Sequence, residues 1–376
     1  MAGPPAPHAV TAVTAAVTAG PLPRHLHPGA WWLWAVGLGI AATRTTNPLV
    51  LALVLGVAGY VVAARRSDAP WARAYTAFLR LGLFVLAIRM GIQVLFGQPL
   101  PGHVLFRLPQ VTPPRWLAGI RLGGPVTAEA VVGQVYDGLR LGVLLACVGA
   151  ANALASPYRL LRALPGALYE AGVAVTVALA FAPQALVSAQ QVREARRLRG
   201  RAVRGPRALR GVVVPVLEGA LTRSIALAAS MDARGYGRRA GGAGTRRATA
   251  VTAFGGLLAV SVGTYGLLDA TAPAALGFPV MALGAALLAA AIVVGSKRSG
   301  RSRYRPDVWR WPEWVVVVAG LVPPVTLVLA GRLAGDPLHP STNPIAAPAV
   351  PLVAVAGILV ALVPAFVAPH PPRAAS

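Results

Sequence analysis

The sequence predicts an all-α fold: a polytopic membrane helix bundle with a cytoplasmic domain of two long crossing helices. Three observations predict it. The 376-residue chain is 56% hydrophobic and only 12% charged, about half the charged share of a soluble domain. Apolar windows near the length of a membrane span recur along it. Between them lies a basic stretch with two long helical patterns, each closed by an arginine and a glycine: Leu198-Arg199-Gly200 and Ala233-Arg234-Gly235.

Taken in order, residues 1–30 are rich in Ala, Pro and Thr and lack the charged start and clean apolar run of a signal peptide, so a disordered tail is expected. Four spans follow, at about 31–45, 47–64, 75–97 and 131–154, with Asn47-Pro48 marking a tight turn between the first two. The segment 98–130 holds Pro101, Pro109, Pro113, Pro114 and Pro125 and reads as an irregular external loop or re-entrant piece. Residues 155–248 read as the cytoplasmic domain. Four C-terminal spans are expected at about 249–268, 275–296, 314–332 and 346–368.

The stretch 169–190 is long enough to span but carries Gln184, Ser188 and Gln190 and runs on into Arg193-Glu194-Ala195-Arg196-Arg197. Loop charge decides its placement. The segments 65–73, 193–247 and 297–310 are strongly basic, and cytoplasmic loops carry such an excess. All three fall on one side, with both termini, only if 169–190 does not cross. It is therefore placed along or below the cytoplasmic face of the cell membrane.

Within 155–248, Ser156-Pro157 starts a short helix that Pro165-Gly166 ends. A helix from about 167 to Arg199 would reach about 48 Å at ~1.5 Å per residue. A second runs from about Arg207 to Arg234, with Pro215 expected to kink it. Val214, Leu217, Leu221, Ile225 and Ala228 form its apolar side. Gly211, Gly219, Ala220, Ser224, Ala228 and Ala229 would permit a close crossing. Gly200 and Gly235 stand where a left-handed residue closes a helix.

The paired Arg-Gly ends, 35 residues apart, and the string Met231-Asp232-Ala233-Arg234-Gly235-Tyr236 resemble the transmembrane T component of energy-coupling factor (ECF) transporters. Pro215-Val216-Leu217, Leu221-Thr222-Arg223-Ser224, Phe181-Ala182-Pro183, Glu194-Ala195, Leu139-Arg140-Leu141 and Ser156-Pro157 extend the likeness over roughly residues 31–268. The resemblance implies two coupling helices whose Arg199-Gly200 and Ala233-Arg234-Gly235 tips seat in grooves of two ABC-type ATPase subunits. Leu198, Glu194, Met231 and Tyr236 would support them. It also implies a separate small membrane subunit that binds the substrate, a vitamin or a transition-metal ion. The chain departs from the pattern in two places. Leu198 replaces the usual Ala, and 275–368 extends beyond the family core.

The chemistry suits that role. A guanidinium stays charged and offers five donors in a fixed fork, so it binds a carboxylate bidentately. At a helix C-terminus it also complements the dipole.

Other classes fit less well. The net charge of +24 suggests nucleic acid, but the charges sit in loops between apolar spans. The sole lysine, Lys297, follows Ser296, so no phosphate-binding Gly-x-x-x-x-Gly-Lys loop is present. The single Cys147 excludes an internal disulfide and reads as a small apolar residue. His25-x-His27 lies in the tail, and no metal site or cofactor is expected. Eleven acids spread singly argue against a membrane enzyme. A self-contained secondary transporter is the alternative, with mid-span Arg89 as its strongest residue. Arg89 would pair with Asp137 or Glu129 across the bundle, or face a partner protein.

Overall fold

The computed structural model describes residues 26–67, 74–96, 101–111, 122–163, 169–200, 205–235, 243–269, 271–297, 308–333 and 337–369. Twelve α-helices lie among them: α1 (Pro28–Thr43), α2 (Pro48–Arg65), α3 (Ala74–Phe96), α4 (Ala128–Leu154), α5 (Pro157–Arg162), α6 (Tyr169–Leu198), α7 (Pro206–Ala233), α8 (Ala243–Leu268), α9 (Phe278–Lys297), α10 (Trp311–Leu333), α11 (Leu352–Val360) and α12 (Pro364–Val367). The bundle is all-α in class, with one small exception. The stretch read as an irregular loop contains a β-hairpin, β1 (Val104–Val111) antiparallel to β2 (Leu122–Thr127). Its strands tolerate Pro109 and Pro125 because a lone two-stranded ribbon has only edge strands.

The chain divides into two compact units, residues 1–160 with 307–376, and residues 161–306. The first holds the core. Trp34, Leu38, Leu51, Val54, Val61, Val143, Val316, Leu327 and Ile358 are fully buried there. The close approaches are made by glycines. A side chain on Gly37 would collide with the backbone of Gly320, and one on Gly320 with Trp34. A Cβ on Gly82 would stand 3.0 Å from the Cα of Gly142, which brings α3 against α4. Helices in lipid gain from such backbone proximity, since tails are as apolar as the side chains.

Side chains bonded to backbone carbonyls fasten both ends of α2. At its start, Asn47 caps the helix by accepting from Leu49 N (3.0 Å) and Val50 N (3.4 Å). Its amide donates to Ala349 O (2.7 Å) and Pro337 O (3.1 Å), and neighbouring Thr45 donates to Leu338 O at 2.7 Å. Thr45 and Asn47 are fully buried. At the other end, buried Arg65 donates from Nε (2.9 Å) and Nη2 (2.6 Å) to Ala365 O, and from Nη2 to Phe366 O (3.2 Å). Trp34 Nε1 donates to Ala361 O at 3.2 Å. The part of the C-terminal extension that follows residue 307 is thus packed into the first unit against α1 and α2.

This packing sets the ends of the first unit. Arg159 donates to Leu26 O (3.3 Å), and the His27 ring lies 4.9 Å from Trp309. The chain therefore leaves this unit after α5 and returns to it before α10 at the same end.

Among the described residues, eight helices are long and apolar enough to cross a membrane: α2, α3, α4, α6, α7, α8, α9 and α10. The number matches the expectation, although two of the expected spans fall short of that length. The first expected span is a 16-residue helix, and the last is interrupted between α11 and α12, where Val363-Pro364 follows a turn. The helices α6 and α7 also meet the length and composition of spans.

Replacing Gly320 by Leu is expected to destabilise the protein by about 1–3 kcal/mol through overpacking. A lower thermal midpoint in detergent is the measurement. Asn47→Ala should cost at least as much, because the carbonyls of Pro337 and Ala349 and the amides of Leu49 and Val50 then lose their side-chain partner.

Candidate functional site

The two Arg-Gly ends are built alike. In α6, Arg199 N donates to Ala195 O (3.2 Å) and Gly200 N to Arg197 O (3.0 Å). In α7, Arg234 N donates to Met231 O (3.1 Å) and Gly235 N to Asp232 O (2.9 Å). Gly200 has φ +68° and Gly235 φ +75°. Both occupy the left-handed region, where a Cβ would be strained, so the expectation for both residues holds. Each glycine turns the chain aside directly after an arginine.

The tips are open. Arg199, Gly200, Ala233 and Arg234 are exposed, and Leu198 is 90% exposed. Glu194 is exposed as well, and Met231 is half-buried. Tyr236 lies outside the described residues. The structure thus gives each helix a solvated arginine at its C-terminus, while an apolar side chain stands next to Arg199 and a methyl group next to Arg234. The segment 193–247 carries 14 arginines against three acids, so an acidic surface is the complement that either tip would favour.

Two arginines join the helices. Arg223 of α7 donates from Nη2 to Ser188 Oγ of α6 (3.0 Å) and from Nε to Gly219 O on its own helix (3.0 Å). Arg196 of α6 lays its guanidinium over Gly211 of α7, in the space that a Cβ there would fill. The pairs 188 with 223 and 196 with 211 run in opposite directions, so the helices cross antiparallel. Sequence reasoning did not single out Arg196 and Ser188, and gave Arg223 no contact. Nothing in periodicity marks which arginine of a basic stretch turns inward.

The small-residue expectation holds in part. Gly211, Gly219 and Ala220 are half-buried at the crossing, whereas Ser224, Ala228 and Ala229 are exposed. The apolar side of α7 stands largely exposed. Val214, Leu217, Leu221 and Ile225 are each more than 60% exposed, and Val212 is the buried one. Periodicity identified the apolar face, but the crossing is short and leaves that face uncovered within the described residues. Pro183 and Pro215 lie inside α6 and α7, which both run unbroken past them.

In the first unit, Arg89 sits on α3 with Nε donating to Gln134 Oε1 (3.3 Å) and Nη2 3.8 Å from Asp137 Oδ2. Of its two expected partners, it takes Asp137. Glu129 is engaged elsewhere: its carboxylate accepts from His103 N at 2.9 and 3.0 Å and meets His103 Nδ1 at 2.9 Å. Arg140 donates to Thr43 O and so closes the C-terminus of α1.

Arg223→Ala should loosen the crossing without unfolding the bundle, since it removes one interhelical bond. Spin labels on Leu198→Cys and Ala233→Cys, with Cys147→Ala, report it. The distance distribution between the labels should broaden; an unchanged distribution would exclude Arg223 as the clasp.

With this geometry in view, the CbiQ cobalt transport protein family matches the chain over residues 22–241. The match takes in α1–α7, both arginine tips and the crossing. No curated protein matches the chain. The chain belongs to the CbiQ cobalt transport protein family, and it is a multi-pass membrane component of that transport class.

Proposed function

We propose that the chain is the coupling subunit of an ECF-type importer. It transmits motion from two ABC-type ATPase subunits to a separate membrane subunit that holds the cargo. On this reading the chain itself performs no catalysis. One observation carries the proposal: two exposed helix ends, each an arginine followed by a left-handed glycine, on helices clasped to each other. Family membership supports it, because transport proteins of this kind need a part that meets the energy source.

Topology supports it too. The first unit has residue 159 and residue 309 at one end, so the chain between them crosses the membrane an even number of times. α8 and α9 make a hairpin of spans, which leaves α6 and α7 to cross together or not at all. Crossing together would carry the arginine-rich turn after α6 to the outer side, against the positive-inside rule. The reading adopted here keeps α6 and α7 at the cytoplasmic face, with both termini on that side. Residues 155–248 then form the coupling domain, flanked by membrane helices 31–154 and 249–368, with 275–368 as the extension beyond the family core. The family's cargo, cobalt, is the first transition-metal ion to test, ahead of vitamins.

Arg199→Glu with Arg234→Glu reverses the charge at both tips. The variant is expected to reach the membrane at normal levels but to lose at least tenfold in ATPase co-purification and in ATP-dependent uptake. Full retention of both ATPases by the double variant would overturn the proposal. Arg234→Glu alone should have the larger single effect, because Ala233-Arg234-Gly235 is the complete tip.

A further inference from the structure

The polar cluster on α3 and α4 has no role in the coupling mechanism above. Arg89 lies seven residues from the end of α3, about 10 Å along the helix, and Asp137 nine residues from the start of α4, about 13 Å. Both depths fall within a hydrocarbon core about 30 Å thick. Yet the side chains are 35% and 48% exposed. Arg89 makes one hydrogen bond, to Gln134, and its approach to Asp137 is too long to be another. Its remaining donors find no acceptor among the described residues. Acyl chains offer none, and intramembrane charges therefore face protein or water.

Beside the cluster runs a seam suited to another helix. Phe84, Ile88, Gly91 and Leu95 follow the four-three-four spacing of helix–helix contacts and are all exposed. A Cβ on Gly91 would meet nothing within 4 Å. Elsewhere in this protein an α3 glycine faces a neighbouring helix, as Gly82 faces Gly142. Gly91 offers the same kind of notch with no helix of the first unit in it.

We infer that the α3 seam, edged by Arg89, Asp137 and Gln134, docks a transmembrane helix of a partner subunit that brings an acceptor side chain to Arg89. The acceptor is an amide or a carboxylate, whose oxygen takes the donors that Asp137 leaves unmet. The identity of the partner as the cargo-binding membrane subunit rests on the coupling reading; the need for a helix there does not.

Two variants test it in the complete transporter purified from its native membranes through a tag on this chain. Arg89→Leu with Asp137→Leu removes both charges, which an isolated lipid-facing pair would tolerate. Gly91→Trp fills the notch, where the chain has open space. Each variant should retain both ATPases within twofold of wild type and lose the stoichiometric membrane subunit at least tenfold. Wild-type recovery of that subunit with both variants, or its absence from the wild-type complex, would overturn the inference and leave lipid or water as the cover. Absence of ATPases from the wild-type complex would instead overturn the coupling reading, while loss of a membrane subunit in both variants would still support the seam.

Discussion

The fastening of α2 at both ends governs the rest of this molecule. Asn47 and Thr45 hold its start to the backbone at 337–349, and Arg65 holds its end to Ala365 and Phe366. In a low-dielectric interior an unmet polar group is expensive, so these side chains and carbonyls leave each other little freedom to part. The end of the chain from residue 307 therefore belongs to the first unit, although the family match stops before it. These bonds, with Gly320 against Trp34 and Gly37 and with Trp309 against His27, bring the chain back at residue 309 to the end it left at 159. That return gives an even number of crossings in between, and on the proposed topology, in which α6 and α7 do not cross, their ends share one side.

Much of this was legible in the sequence, for identifiable reasons. Both long helices are bounded by residues that can do little else: Pro206 fits a helix start, and Gly200 and Gly235 tolerate left-handed backbone. Arg89 could be marked because a charge within an apolar run is conspicuous at any alignment of the helices. Its partner could not be fixed, since Asp137 and Glu129 differ only in depth. The structure separates them through the Glu129–His103 contact, which needs the hairpin turn to bring residue 103 back to α4. That hairpin was hidden because prolines usually signal irregular backbone, and a two-stranded ribbon has no interior strand for them to disrupt.

The interruption between α11 and α12 shows a different limit. Its apolar residues satisfy the length rule for a span, yet Val363-Pro364 follows a turn there. The adjacent Pro323-Pro324 pair in α10 is helical throughout. Proline alone does not decide between the outcomes. At residues 361–366 the carbonyls have side-chain donors available, from Trp34 and Arg65, and a helix can end where its orphan acceptors are met.

The two units also differ in how their helices are held, and the difference bears on motion. In the first unit, glycines bring backbones into contact over buried apolar side chains, an arrangement that moves only by coming apart. The α6–α7 crossing relies on Arg223 with Ser188 and Arg196 over Gly211, polar contacts at a largely exposed junction. Such contacts exchange with water at small net cost, and segments with few buried apolar contacts are the ones that open first. A movement applied at Arg199 or Arg234 would therefore be taken up at the crossing before it disturbs the packing within the core. The exposed Val214, Leu217, Leu221 and Ile225 would turn with α7 as its tip is displaced. On the proposed coupling role the crossing would act as a pivot that Arg223 stiffens, while the core's own packing depends on the fastening of α2.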